Sequence, residues 1–291
     1  MKRLTVFLPA ALLALPVMAE DVNETLDAAK NGKVDVSNIA GEVTIRGWSR
    51  DEVEVTGELG RNVEKLIFER DGDEITIKVK VPRRGGRGID SDLHIQVPEG
   101  SSLDVGTVSA DIDVADVSGE QRLNSVSGDI DTEVAGNDVS AGSVSGDIEV
   151  SGQAMKAEID AGSVSGNVTL FRVSGIVEAE SVSGDVIVDE GAFDRARLET
   201  VNGEIVFHAD LLDDGKLQAE TVNGNVELEF ADKVSGRYDI DTFNGDIRNC
   251  YGPKAERTSK YTPGWELSFE EGDGGARVNV STLNGDISIC D

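Results

Sequence analysis

The hexamer Ser-Val-Ser-Gly-Asp-Ile occurs at residues 125–130 and again, unchanged, at residues 143–148. Seven near-copies extend the series at intervals of 18 to 21 residues, except for a final interval of 40. A repeat on so regular a spacing is typical of stacked supersecondary units. The nine copies begin at Thr107, Ser125, Ser143, Ser163, Ser181, Thr200, Thr221, Thr242 and Thr282, and a weaker copy begins at Asn38.

Residues on both sides of each hexamer alternate between apolar and polar, which predicts half-buried strands. Leu103 and Val105 precede the first copy, and Ile112 and Val114 follow its start. The Ser-Gly and Asn-Gly pairs predict bends, because Gly and Asn accept positive φ. A unit this small cannot bury its own apolar face unless units stack in parallel. We therefore predict an all-β protein whose residues 101–291 form a parallel β-helix, a β-solenoid with 18–21-residue rungs.

The last interval fits one rung plus an insertion at about residues 251–275. Cys250 and Cys290 each follow their own hexamer start by eight residues, so they occupy the same phase of consecutive rungs. Same-phase residues on neighbouring strands have Cα atoms about 4.8 Å apart, which is within disulfide range. The spacing predicts a Cys250–Cys290 bond that fastens the final rung.

Residues 1–19 have a basic start, a short apolar run and a small residue at Ala19, which together predict a cleaved signal peptide. No later stretch is apolar enough to cross a membrane, so we expect an exported protein that is periplasmic, outer-surface or extracellular. Residues 20–100 are less regular but strand-like. We expect them to form a first set of coils or a cap over the open end of the stack.

The chain carries a formal net charge of −29, with 27 basic and 56 acidic residues. Phosphate backbones repel such a surface, so nucleic acid is excluded as a partner. Self-repulsion also favours a monomer.

The hexamers, the segment VSNIAGEVTIRGW at residues 36–48 and the closing GDGGARVNVSTLNGDISI at residues 272–289 resemble the bacterial "putative adhesin" family, a β-strand-repeat domain of unknown function. The likeness covers about residues 33–291. It implies an exported, single-stranded, right-handed β-helix, and it brings no established catalytic residues. Ala110 replaces the usual Gly of the hexamer, so we expect that corner to differ in shape.

The fifth hexamer position forms a column of oxygen-bearing side chains. Ca²⁺ takes such ligands, and the alternative is a set of solvated corner residues that bond local amides. In the second alternative the column has only a structural role. No cofactor other than Ca²⁺ is predicted. The candidate metal ligands are Asp129, Asp147, Asp185, Asp246 and Asp286.

Two further regions are candidates for interaction: the basic loop with Arg83, Arg84 and Arg87, and the insertion with Tyr251 and Trp265. The first hexamer position, always Ser or Thr, is predicted to point inward, where stacked hydroxyls satisfy one another. His94 and His208 lie between inward apolar residues, so both are predicted to face outward.

No nucleophile, base and metal set emerges from these residues. The sequence favours a non-enzymatic, adhesin-like binding or scaffolding surface in the bacterial envelope, with an unknown envelope protein or polysaccharide as partner. Two alternatives stay open. One is a polysaccharide-processing β-helix enzyme, which needs two carboxylates about 5–10 Å apart, and the other is a periplasmic accessory of an envelope-stress system.

Overall fold

The computed structural model describes residues 20–83, 86–231, 234–250, 252–261 and 263–290. Within these ranges there is no helix, and 23 strands join into one large sheet. The all-β prediction is therefore confirmed. The predicted signal peptide at residues 1–19, together with Arg84 and Tyr251, lies outside the described residues. In the described ranges no helix could span a membrane.

The strands are numbered in chain order. They are β1 (Glu20–Asp27), β2 (Lys33–Trp48), β3 (Glu52–Leu59), β4 (Lys65–Asp71), β5 (Glu74–Lys80), β6 (Ser91–Pro98), β7 (Ser102–Ala115), β8 (Gln121–Asn124), β9 (Ile130–Val134), β10 (Val139–Ser143), β11 (Ile148–Gly152), β12 (Lys156–Ser163), β13 (Val168–Phe171), β14 (Ser174–Ser181), β15 (Val186–Asn202), β16 (Ile205–Asn223), β17 (Val226–Glu229), β18 (Gly236–Asn244), β19 (Ile247–Asn249), β20 (Glu256–Arg257), β21 (Trp265–Glu271), β22 (Ala276–Asn284) and β23 (Ile287–Ile289).

In the middle of the chain, each repeat stacks directly on the one before it. β10 pairs in parallel with β8 on one side and with β12 on the other, and β12 pairs with β14. The register sets Ser143 opposite Ser163, and Ser163 opposite Ser181. Because the same hexamer phase meets at each step, the inward apolar side chains of one repeat lie over those of the next.

At the C-terminal end, the order of repeats in the stack differs from their order in the chain. β22 pairs in parallel with β16 on one edge and with β18 on the other. The repeat that begins at Thr282 thus lies between those of Thr221 and Thr242, and it is not the final rung that the sequence predicted. The outer edge of β18 is covered instead by the antiparallel strand β21, which belongs to the insertion.

The N-terminal end has a related arrangement. β2 pairs in parallel with β7 on one edge and with β5 and β6 on the other. Antiparallel strands then cover the outer edges, since β4 pairs with β5, β3 pairs with β6, and β1 pairs with β3. Residues 20–100 therefore supply both stacked strands and an antiparallel cover, which leaves fewer open strand edges.

The core is a column of Val, Ile and Leu side chains that ends in a series of aromatic rings. Phe193 lies 5.7 Å from Phe207 between ring centroids, and Phe207 lies 5.8 Å from Phe230. Tyr238 continues the series and stacks on Phe269 of β21 at 4.5 Å. These contacts join the last rungs to the covering strand through buried apolar surface.

The hexamer glycines are needed for close packing between rungs, which corrects the expectation that they supply positive φ. None of the positive-φ glycines belongs to the nine hexamers. A Cβ built on Gly166 would lie 2.1 Å from the carbonyl oxygen of Gly146 on the previous rung, and Gly184 has the same relation to Gly166. At the variant corner, Ala110 is fully buried and β7 passes through it without the bend seen at later copies.

Candidate functional site

The second hexamer position forms a row of exposed apolar side chains, here called the valine row. Each member leaves 38 to 48 % of its surface exposed, although large apolar side chains elsewhere are mostly buried. The sequence analysis did not predict this row. The alternation of side chains along a strand could have predicted it, because the first hexamer position points inward and the next residue must then point outward. In stack order the row is Val108, Val126, Val144, Val164, Val182, Val201, Val222, Leu283 and Phe243.

Beside the later half of the valine row lies an acid row, defined as Glu180, Glu199, Glu220 and Asp241, each one residue before its hexamer. Between the two rows the surface forms an open groove of about 530 Å³. Buried Ser and Thr residues of the first hexamer position form its floor. One wall is therefore apolar and the other acidic. In the earlier repeats the matching positions are Gly106, Asn124, Gly142 and Gly162, so the acid wall covers only later rungs. Ser281 holds the matching position of the Thr282 repeat and separates Glu220 from Asp241 in the stack.

The acid row carries excess negative charge. Burial raises the pKa of Glu180, and the neighbouring Glu199 and Glu178 raise it further. The pKa of Asp241 is raised by burial and then by Glu220 and Glu266. Glu199 forms an ion pair with Arg197 at 2.7 Å, whereas no ion pair within the described ranges involves Glu180, Glu220 or Asp241. The charge of Arg197 also acts on Glu180 and partly offsets the rise in its pKa, so the excess negative charge of the acid row lies chiefly at Glu220 and Asp241.

The aspartate column at the fifth hexamer position bonds backbone amides of adjacent rungs. The amide of Asp147 donates to Asp129 Oδ1 at 2.8 Å, and the amide of Asp246 donates to Asp286 Oδ1 at 2.8 Å. Asn167 takes the same role, since the amide of Asp185 donates to its Oδ1. The contacts support the solvated-corner alternative. Over the described ranges, no group of three or more His, Cys, Asp or Glu side chains is placed to hold a metal. The Ca²⁺ role of Asp129, Asp147, Asp185, Asp246 and Asp286 stays a prediction.

The inward Ser and Thr column is buried at every copy, as predicted, but its hydrogen bonds differ from the prediction. Only Thr107 and Ser125 join hydroxyl to hydroxyl, at 3.0 Å, among the described pairs. Elsewhere the hydroxyl donates to a glycine carbonyl on the previous rung, as Ser181 does to Gly166 at 2.9 Å. The close approach of the glycines brings that carbonyl within reach.

Of the two histidines, His94 is exposed and His208 is half-buried. His208 Nε2 lies 3.8 Å from the Glu229 carboxylate.

Trp265 is half-buried in the insertion, at the start of β21, where it pairs with Thr242 next to the last member of the valine row. The guanidinium of Arg257 lies 4.8 Å from its ring centroid. Trp265 also lines a hollow of about 360 Å³ with Asp246 and Lys254. Arg83 and Arg87, at the opposite end of the chain's fold in the loop before β6, are exposed. The structure therefore does not bring the two predicted interaction regions together.

Cys250 and Cys290 form a disulfide with a Cα–Cα separation of 5.0 Å. The bond joins the ends of β19 and β23, which are parallel neighbours. It therefore fastens the last repeat of the chain, which lies inside the stack, to the Thr242 repeat, which is the outermost parallel rung.

The fold and the groove together define a repetitive all-β protein with an amphipathic surface groove. The family model described as Toastrack DUF4097 matches residues 31–290, so the chain belongs to this family. It is a domain of unknown function in bacterial proteins, and the resemblance inferred from the repeats is confirmed. No curated protein matches the chain.

Solved structures similar to this chain include a "putative adhesin" from Bacteroides fragilis NCTC 9343, with 12 % identity, a TM-score of 0.43 and coverage of 93 % of this chain and 97 % of that chain. A "putative adhesin" from Parabacteroides distasonis ATCC 8503 has 11 % identity, a TM-score of 0.40 and the same two coverages. A "putative cell adhesion protein" from Clostridium sporogenes ATCC 15579 has 10 % identity, a TM-score of 0.28 and coverage of 93 % and 99 %.

Proposed function

We propose that the chain is an exported, non-enzymatic protein of the bacterial envelope that works as an adhesin-like binding or scaffolding surface. The observation that carries this proposal is the valine row, which extends along nine repeats of a chain with a net charge of −29. Exposed apolar surface arranged as a continuous strip is typical of interaction sites. Because the strand backbones beneath the valine row are paired between rungs, its side chains keep a fixed spacing.

The proposed scaffold is a single-stranded, right-handed β-helix of 18–21-residue rungs, present as a monomer. The in-register parallel pairs of β10, β12 and β14 support the stacking, and handedness comes from the family resemblance. The signal-like residues 1–19 and the Cys250–Cys290 disulfide support export to an oxidising compartment. The partner would be an envelope protein or polysaccharide that contacts the valine row.

A polysaccharide-processing activity is the second candidate, because the raised pKa of Glu180 is a feature that general acids share. Facing carboxylates recur along the stack, at Glu180 and Glu199 and again at Asp129 and Asp147. This recurrence singles out no catalytic pair, and the valine row has no part in such chemistry. We therefore favour binding over catalysis.

The test uses residues 20–291, purified with the disulfide intact and incubated with washed bacterial envelope fractions. Replacing Val126, Val164 and Val222 by Ser interrupts the valine row at three separate rungs, and binding should fall at least tenfold. The matched control replaces Met155 and Ile176, two exposed apolar residues outside the row, by Ser. This control should bind like the wild type.

Protease or periodate treatment of the fractions then assigns the partner to protein or polysaccharide. Equal binding by the triple variant and the wild type would contradict the proposal. Release of reducing sugars from envelope polysaccharide by the wild type, abolished in Glu180→Gln, would replace it with the enzyme alternative.

A further inference from the structure

The groove beside the valine row offers two different walls to anything that lies in it. Val182, Val201 and Val222 form the apolar wall, while Glu180, Glu199 and Glu220 form the acidic wall. An occupant must therefore present apolar groups on one side and positive charge on the other. The net charge of −29 adds a long-range field that repels anionic partners and attracts cationic ones.

The floor of the groove has no free strand edge to offer an extended peptide. Its backbone groups pair between rungs, as the amide of Val182 does with the carbonyl of Ser163. The groove also crosses the strands at right angles, because its lining residues repeat from one rung to the next. Addition of a strand, which needs unpaired edge groups, is therefore unavailable here.

The spacing of the rungs matches a helix better than a strand. Rungs repeat every ~4.8 Å, and one turn of an α-helix rises about 5.4 Å. Same-side residues of an extended chain are about 6.6 Å apart. A helix parallel to the stack would thus place about one side chain per turn opposite each rung. The difference between the rung spacing and the rise of one helical turn is small enough for the flexible four-carbon stem of Lys to absorb.

The length of the groove sets the length of its occupant. Its lining extends over six rungs, from Ser143 to Ser281. Five steps of ~4.8 Å give about 24 Å, which corresponds to roughly 16 residues of α-helix at 1.5 Å each.

We propose that this groove binds a basic amphipathic helix of a partner protein, with its apolar face on the valine row and its Lys or Arg side chains on the acid row. The proposal rests on the proposed binding function and names the chemistry of the partner. Apolar contact supplies affinity, and the carboxylates select against acidic and neutral helices.

The test measures fluorescence anisotropy of a labelled 16-residue peptide of Leu and Lys, arranged so that Leu forms one helical face and Lys the adjacent one. A permuted peptide of equal composition lacks the face, and a third peptide has Glu in place of Lys. The amphipathic basic peptide should bind at least tenfold more tightly than either of the others.

The variant that replaces Glu180, Glu199 and Glu220 by Gln should weaken peptide binding about tenfold at low salt, because three exposed charge pairs are lost. Its control replaces Glu24, Glu54 and Glu58 by Gln, which removes equal charge at the N-terminal end and should change binding less than twofold. Replacing Val182, Val201 and Val222 by Ser should weaken binding similarly, whereas replacing Met155 and Ile176, exposed apolar residues outside the valine row, by Ser should not.

Equal binding of the permuted peptide would overturn the proposal and leave the acid row as a simple counter-ion surface. Equal loss in the two Gln variants would also overturn it, because net charge would then explain the effect. If the peptide fails to bind while the interrupted valine row still abolishes envelope binding, the proposed function stands and the helix is wrong. If binding to the peptide is normal while envelope binding ignores the valine row, the proposed function fails instead.

Discussion

Replacing Gly166 by Ala tests whether the hexamer glycines set the spacing of the rungs. The new Cβ would lie 2.1 Å from the carbonyl oxygen and 2.5 Å from the carbonyl carbon of Gly146, and 2.9 Å from the amide nitrogen of Asp147. An unstrained contact between a Cβ and a carbonyl oxygen needs more than an ångström of additional separation. All of these neighbours are backbone atoms, so a side-chain rotation cannot relieve the clash.

Two hydrogen bonds lie next to the clash. Ser163 Oγ donates to the Gly146 carbonyl at 3.0 Å, and the amide of Asn167 donates to Asp147 Oδ1 at 2.7 Å. Overpacking costs about 1–3 kcal/mol, and each lost hydrogen bond costs about 0.5–1.5 kcal/mol. We therefore expect Gly166→Ala to lower the free energy of unfolding by about 2–6 kcal/mol.

The assay is urea unfolding followed by circular dichroism at a fixed pH, with the disulfide intact. Gly106→Ala is the matched control, because a Cβ on Gly106 meets no atom within 4 Å. This exposed strand position should gain up to about 1 kcal/mol from the change, since Gly weakens a strand interior. Equal unfolding free energies for the two variants would refute the steric account of the hexamer glycines.

Three other measurements address the end of the stack, the core and the aspartate column. Reducing Cys250–Cys290, or replacing both cysteines by Ser, should cost about 4 kcal/mol of unfolding free energy, from a loop of 40 residues; a melting temperature unchanged by reductant would contradict this. Burial, followed by Glu271, raises the pKa of Tyr238 to about 12, so the unfolded tyrosine ionises first and its contribution to stability is lost as the pH rises from about 10 to about 12. The wild type should therefore lose more stability than Tyr238→Phe over this range, and parallel losses would refute the assignment. Asp147→Ala should lower stability by about 0.5–1.5 kcal/mol, whereas Asp147→Asn should not, because it keeps the acceptor for the amide of Asn167; a rise in melting temperature with millimolar Ca²⁺, absent in Asp147→Asn, would instead support the Ca²⁺ role of the column.

Periodicity predicted the all-β fold and the inward Ser and Thr column well, because a two-residue period fixes which face each side chain takes. The eight-residue offset of Cys250 and Cys290 similarly predicted which residues become neighbours, and the structure joins them. These features depend only on the phase within a repeat, which the sequence shows directly.

The order of the repeats could not be predicted in this way. The hexamers at Thr242 and Thr282 fit the stack equally well in either order, and only the pairing of β22 with both β16 and β18 decides between them. The sequence also could not predict the hydrogen-bond acceptor of each buried hydroxyl. That acceptor depends on how closely the glycines of neighbouring rungs, such as Gly146 and Gly166, approach each other. The groove was missed because its two walls lie on opposite sides of an inward residue.

The position of β22 and β23 in the stack has a consequence for the order of folding. Both edges that flank this repeat, on β16 and on β18, stay open until residues 276–290 arrive. Open strand edges recruit other chains, and pairing between segments distant in the chain is slow. During synthesis, the growing polypeptide therefore has two unpaired strand edges, and the pairing of β22 and β23 covers both of them.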